Sequence, residues 1–172
     1  MKHDSKRNGL GKLIALWLAL MAWASMPAMA VIAPSLGDLV WNDANANGIQ
    51  DNGEPGIPGA TVTLTDCNGN PVTDIDNNPV VPIVTDASGN YLFTGLRPGT
   101  YRVTVALPAG YAFTLKLNPD GSPAANDSNV NPGTGISDCR TLTAGGGDDL
   151  TVDAGLVKLG SIGDRVWEDQ NG

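Results

Sequence analysis

In "WNDANANGIQDNGEPGIPGATVTLTD" (Trp41–Asp66) the second half chooses between two settings for the first, a helix or a strand. Counted from Asp43, side chains bearing oxygen stand at positions 1, 3, 5, 9 and 12: Asp43, Asn45, Asn47, Asp51 and Glu54. Gly48 stands at position 6. This is the D-x-[DN]-x-[DN]-G-x5-E spacing of a calcium loop. Calcium takes six to eight oxygens, so a short loop must wrap around the ion, alternate residues turning inward and a glycine permitting the sharp bend. The spacing assigns Asp43, Asn45, Asn47, the main-chain carbonyl of Ile49, Asp51 and Glu54 as Ca2+ ligands, with Glu54 closing the site. The alternative is a metal-free turn built on Asx hydrogen bonds. In a helix-borne loop a helix would follow Glu54. Here Pro55 and Pro58, with Gly56 and Gly59 beside them, break any helix. Val62 and Leu64 then alternate with Thr61, Thr63 and Thr65. The loop leads into a strand.

The same period of two recurs further on. "GTYRVTVALP" (Gly99–Pro108) sets Tyr101, Val103, Val105 and Leu107 against Thr100, Arg102 and Thr104, and "DLTVDAGLV" (Asp149–Val157) repeats Leu150, Val152, Ala154 and Leu156. Such alternation marks half-buried strands. "ASGN" (Ala87–Asn90) and "GGGD" (Gly145–Asp148) are turns, and no helical period follows residue 30. Strands punctuated by turns predict an all-β sandwich.

The first thirty residues stand apart. Lys2, Lys6, Arg7 and Lys12 precede the apolar run Leu13–Ala24, and "AMA" (Ala28–Ala30) supplies small residues for cleavage. Residues 1–30 read as a secretory signal peptide, since the apolar run is too short to span a bilayer. The chain holds 10 basic and 18 acidic side chains; removing the leader's four basic residues and Asp4 leaves 6 against 17, a formal charge of −11. That charge excludes nucleic acid and anionic lipid as partners and suits divalent cations. No later segment is apolar for long enough to insert in a membrane. The only histidine, His3, belongs to the leader, which removes Ser-His-Asp and Cys-His catalysis and the usual zinc sites. Cys67 and Cys139 enter an oxidising compartment and are candidates for a disulfide. Both stand opposite in parity to their apolar neighbours, which favours a peripheral bond over buried thiols; two free thiols too far apart to meet are the alternative.

A repeat begins as well. "SLGDLVWNDANA" (Ser35–Ala46) returns as "SIGDRVWEDQNG" (Ser161–Gly172), 126 residues later, with Gly37, Asp38, Val40, Trp41, Asp43 and Asn45 all matched. The expected organisation is a signal peptide (1–30), a short linker (31–34), one domain (35–158) and the start of a second, truncated copy (159–172), a fragment of a tandem array. Leu39 becomes Arg165 whereas Val40 stays Val166, so the Val parity is expected to face the core. Trp41 has the other parity, and caps an edge of the sandwich, covers the junction between repeats, or is ordinary packing.

Taken together, "GDLVWNDANANGIQDNGEPGIPGATVTLTD", "TDASGNYLFTGLRPGTYRVTV", "NDSNVNP" and "LTVDAGL" resemble the B-repeat (SdrD B-like) domain of serine–aspartate-repeat surface adhesins, within the collagen-adhesin B-type, prealbumin-like group. The resemblance covers nearly all of Ser35–Val157. It implies a seven-stranded antiparallel β-sandwich, stabilised by calcium at the loop assigned above and used in tandem as a stalk. Asn129 and Asn131 stand where more acidic relatives carry Asp, so a second cation near Asp127 is not expected. Some relatives join a first-strand Lys to an Asn by an isopeptide bond; "GDLVWND" has no Lys, and that bond is not expected either.

The expected function is therefore a non-catalytic, calcium-binding structural repeat of a secreted or cell-surface protein, whose partners are adjacent repeats of its own chain. Two alternatives belong to other classes. One is an adhesive module that binds an extracellular protein or matrix ligand directly; the other is an accessory domain of a larger extracellular enzyme.

Overall fold

The computed structural model describes residues 32–117, 126–160 and 163. The leader assigned to 1–30 and most of the second copy lie outside the described residues. Within them every regular element is a strand: β1 (Leu36–Asn42), β2 (Thr61–Asp66), β3 (Ile83–Val84), β4 (Asn90–Phe93), β5 (Gly99–Val105), β6 (Tyr111–Phe113), β7 (Arg140–Leu142) and β8 (Ala154–Lys158). They form two four-stranded sheets, ordered β4-β1-β8-β6 and β3-β2-β5-β7. The count is eight rather than seven. The added strand, β3, is two residues at a sheet edge, held short by Pro82 before it and the Asp86 turn after it. Pairing is antiparallel throughout except between β1 and β8, which run parallel.

The core lies between the sheets. Val62 pairs with Val105 and Leu64 with Val103 across β2 and β5, and all four are buried. Leu36, Val40, Tyr91, Phe93, Ala154 and Leu156 meet them from the other sheet. Fully burying a side chain of this size stabilises by about 1.5–3 kcal/mol, so a handful of such pairs carries the domain. Two apolar residues of the sequence pattern stay about half exposed. Leu107 lies beyond the end of β5, and Leu150 lies before β8 begins, between Asp149 and Thr151, which both bond the Arg140 side chain.

The parallel pair fixes the poles of the sandwich. Val40 stands beside Ala154 and Asn42 beside Leu156, so β1 and β8 end at the same pole. Loop 43–54 begins there.

Trp41 is fully buried, yet it is not packed in the core. Successive side chains on a strand point to opposite faces, so Trp41 turns away from the face on which Val40 meets the core. It lies against β8 at Gly155, where a Cβ would stand 2.8 Å from the indole and 2.5 Å from the Thr114 methyl. Only glycine leaves room for the ring.

Candidate calcium loop

Loop 43–54 is tied to the sheet at both ends. The Asp43 amide donates to the Leu156 carbonyl (2.9 Å), and the Asn42 amide donates to Pro55 (2.8 Å). The loop therefore closes over the outer face of the sheet, above Trp41. Asp43 is fully buried. Its Oδ2 accepts from the Gly48 amide (2.7 Å) and the Thr114 hydroxyl (2.5 Å), and its Oδ1 accepts from the Asn47 amide (3.2 Å). Gly48 has φ +79°, and a Cβ there would stand 2.7 Å from the Leu115 carbonyl oxygen. Position 6 thus needs glycine twice over, for its left-handed turn and for its close approach to the chain after β6.

The remaining oxygens gather around Asp51 and Glu54. Asn45 and Asn47 each accept a backbone amide two residues on through Oδ1, and each donates Nδ2 to Asp51 Oδ2 (2.7 and 2.9 Å). Glu54 accepts the Ala44 amide at Oε1 (2.8 Å), and the Trp41 indole and Asp51 amide at Oε2 (both 3.1 Å). One carboxylate thereby joins the start of the loop, its end and the ring beneath it. Ile49 forms an isolated bridge with Asp127, in which the bonds run through its neighbours: Gln50 donates to Asn126 and Ser128 donates to Gly48. The N–H and C=O of Ile49 consequently face the other way, and its N–H meets Asn47 inside the loop.

The structure thus brings Asn45 and Asn47 onto Asp51, whose amide meets Glu54, while Asp43 turns inward to the Gly48 amide and Thr114. Among the described residues no three His, Cys, Asp or Glu side chains stand as a group able to hold a metal ion. The donor set nonetheless suits a hard cation: three carboxylates, two amide oxygens and a carbonyl, each oxygen offering two lone pairs.

Three other stretches use the same residue types differently. Asp66, Asp74 and Asp86 each accept the amides of residues two and four further on at Oδ1, and the Nδ2 of the Asn four further on at Oδ2. These bonds, the Asn side chain foremost, hold all three carboxyls below the usual carboxylate range. They are turns, as the sequence suggests for "DCNGN", "DIDNN" and "TDASGN".

A second group of acids lies beside the loop. Asp153 is almost wholly buried; its Oδ1 accepts the Leu39 amide (3.0 Å), and its Oδ2 is buried without a partner. Burial, then the nearby charge of Asp38, pushes its carboxyl up to about 8. Asn129 stands between Asp153 and Asp127: its Oδ1 accepts the Asp153 amide (2.7 Å), and its Nδ2 donates to Asp127 (2.9 Å). An Asp at 129 could not donate that second bond. Asn131 accepts the Gly133 amide in an exposed turn. The sequence carries no sign of the roles of Thr114 and Asp153: Thr114 lies more than sixty residues from its carboxylate partner, and Asp153 falls in an ordinary strand alternation.

Cys67 and Cys139 are joined by a disulfide, with Cα atoms 5.8 Å apart. Cys139 is exposed and Cys67 half-buried, so the bond lies at the periphery.

A family described as the SdrD B-like domain matches residues 34–156. The chain is 45% identical over 139 residues to serine-aspartate repeat-containing protein F of Staphylococcus epidermidis, and 42% identical over 139 residues to serine-aspartate repeat-containing protein D of Staphylococcus aureus. Each match covers 80% of this chain but only 8% and 9% of those proteins. The chain thus spans less than a tenth of the length of these relatives. Among solved structures, the minor pilin GBS52 of Streptococcus agalactiae matches 78% of this chain and 49% of its own, at 15% identity and a TM-score of 0.47. The major pilin subunit BcpA of Bacillus cereus matches 72% and 30%, at 16% identity and a TM-score of 0.42.

Proposed function

The chain belongs to the SdrD B-like domain family, and on that premise we propose that it is a non-catalytic, calcium-binding structural repeat, a stalk or spacer in a secreted or cell-surface protein. The observation that carries this reading is the bond from the Asp43 amide to the Leu156 carbonyl. It places the start of the loop at the pole where the chain leaves the domain, two residues before β8 ends. Calcium would be held by Asp43, Asn45, Asn47, the Ile49 carbonyl, Asp51 and Glu54, and would supply the positive charge for Asp51, whose carboxylate here meets two Asn Nδ2 donors. Order in the loop is then order at the junction with the next repeat. Metal binding couples to local folding because the ligands are gathered only in the folded chain.

Two measurements test this. Calcium should raise the melting temperature and chelator should lower it, with an affinity on the order of 10⁻⁴ to 10⁻³ M, as in other extracellular modules. An unchanged melt sinks the calcium reading. A protein of two consecutive repeats should be more extended and less variable by small-angle scattering with calcium than with chelator. Identical profiles from folded protein would leave calcium no part in spacing.

A directly adhesive module is the alternative. It is favoured by an open groove of about 410 Å³ whose lining includes Asp38, Ile83, Val84, Tyr91, Leu92 and Leu150. Saturable binding of an extracellular matrix protein, lost on Leu92→Asp, would support that reading over the spacer.

A further inference from the structure

β1 and β8 are neighbours that run parallel, and they carry the two ends of the domain. Leu36 and Lys158 therefore lie toward opposite poles. Tension through the ends slides one strand past the other, loading their hydrogen bonds together in shear and not one by one. The disulfide stands off this pair. Cys67 follows β2 and Cys139 precedes β7, strands that flank β5 in the second sheet, where Tyr101 pairs with Asp66 on one side and Arg140 on the other. The bond closes a segment with a sequence separation of 72, which holds β3, β4, β5 and β6.

We propose that the Cys67–Cys139 bond is a length limiter for a domain under tension, withholding the segment it closes from extension until an extracellular dithiol opens it. The inference rests on the spacer reading for its biological setting, though its physics needs only the two ends and the bond. When β1 and β8 part, the chain straightens from Leu36 to Cys67 and from Cys139 to Lys158, and the bond bridges the gap. Those two arms hold 31 and 19 residues, against 122 between the ends without the bond. At about 3.6 Å per residue, the arms reach about 18 nm and the whole about 44 nm, each less the span of the folded domain. Opening is ordinary exchange. A dithiol thiolate attacks one cysteine sulfur to form a mixed disulfide, and its second sulfur displaces that cysteine. The protein gains two electrons and two protons as two thiols, and the dithiol leaves as a cyclic disulfide.

The test is single-molecule stretching of the full chain, tethered at its two termini, without and then with dithiothreitol. The oxidised domain should yield in a step near the shorter length, and the reduced domain near the longer, an increase of about 26 nm for 72 residues. Cys67→Ser with Cys139→Ser should give the longer step without dithiol; if that variant does not fold, the wild-type pair of measurements decides. A long step from protein whose mass shows the disulfide intact overturns the proposal, as does a short step that dithiol leaves unchanged. Calcium has no part in the step length, so failure of the calcium response and failure of the length limit are separately visible.

Discussion

Loop 43–54 and the three turns at Asp66, Asp74 and Asp86 are built from the same residues by the same bonds. In each, an Asp near the start collects backbone amides, and Asn side chains donate to a carboxylate. They differ in what lies beneath. The carboxylates of Asp66, Asp74 and Asp86 accept only from residues of their own turns, although the backbones of two turns are tied to the fold, Gly89 accepting the Val40 amide and Ile75 donating to Gly95. The loop covers Trp41, buries Asp43 and reaches outside itself to Thr114, Leu156, Asn126 and Ser128. Asp/Asn/Gly composition thus makes turns wherever it occurs. What sets the loop apart is that its first carboxylate is buried and accepts from Thr114, far outside the loop.

The sharpest way to break this comparison is to remove the first Asp from each. Asp43→Ala takes the acceptor from the buried Gly48 amide and the Thr114 hydroxyl, while the Asn47 amide keeps Asn45 Oδ1, and should cost about 3 kcal/mol or more by denaturant unfolding. Asp86→Ala loses bonds that water replaces, and should shift the melt only slightly. Equal effects would mean that the loop is no more anchored than the turns.

Thr114→Val should come next, at about 1–2 kcal/mol, since it removes the hydroxyl and keeps the shape. Its loss should be far smaller in protein already carrying Asp43→Ala, because the two groups share one bond. Additive losses would place Thr114 outside the anchor.

Acid and base should separate the regions as well. The folded-state pKa of Asp153 is raised to about 8, so between the ordinary carboxylate value and 8 the folded protein keeps a proton that the unfolded chain has lost. Stability is complete below that window and declines as pH rises through it. Asp66, Asp74 and Asp86 are shifted down. Their contribution is present above the ordinary value and is lost as pH falls through the lowered ones. Melting temperature against pH should therefore fall toward the alkaline side in a way that Asp153→Asn flattens, and fall on the acid side in a way that it does not. The smallest expected change is optical. Glu54→Gln should weaken the calcium response and alter the emission of Trp41, whose indole it contacts, with little effect on the melt in chelator.

Much of this was legible from residue spacing. The parities of Val62, Leu64, Val103 and Val105 place them in the core, because a strand exposes one face in two. The side chains at positions 3 and 5 both reach the Asp at position 9, since that spacing is local and needs no partner from elsewhere. What could not be read depends on distant contacts. Trp41 has the parity of an exposed residue and is buried only because the loop folds back over it. Thr114 looks like any strand-end threonine until β6 brings it to Asp43. Asn129 reads as a weakened acid, whereas between Asp127 and Asp153 an amide can do what a carboxylate cannot. The added strand, β3, is two residues and too short to carry a period.

The lengths of the strands have a consequence for chains that repeat this unit. The edge strands β3, β4, β6 and β7 have 2, 4, 3 and 3 residues, whereas the interior strands have 5 to 7. Near-identical domains joined by a few residues meet at effective concentrations in the millimolar range, where an unfolding neighbour can offer the very strand its sister would accept. A brief edge gives such an intruder few amides to hold. Misassembly between sisters is discouraged at the only places it could begin, and each domain is left to refold by itself.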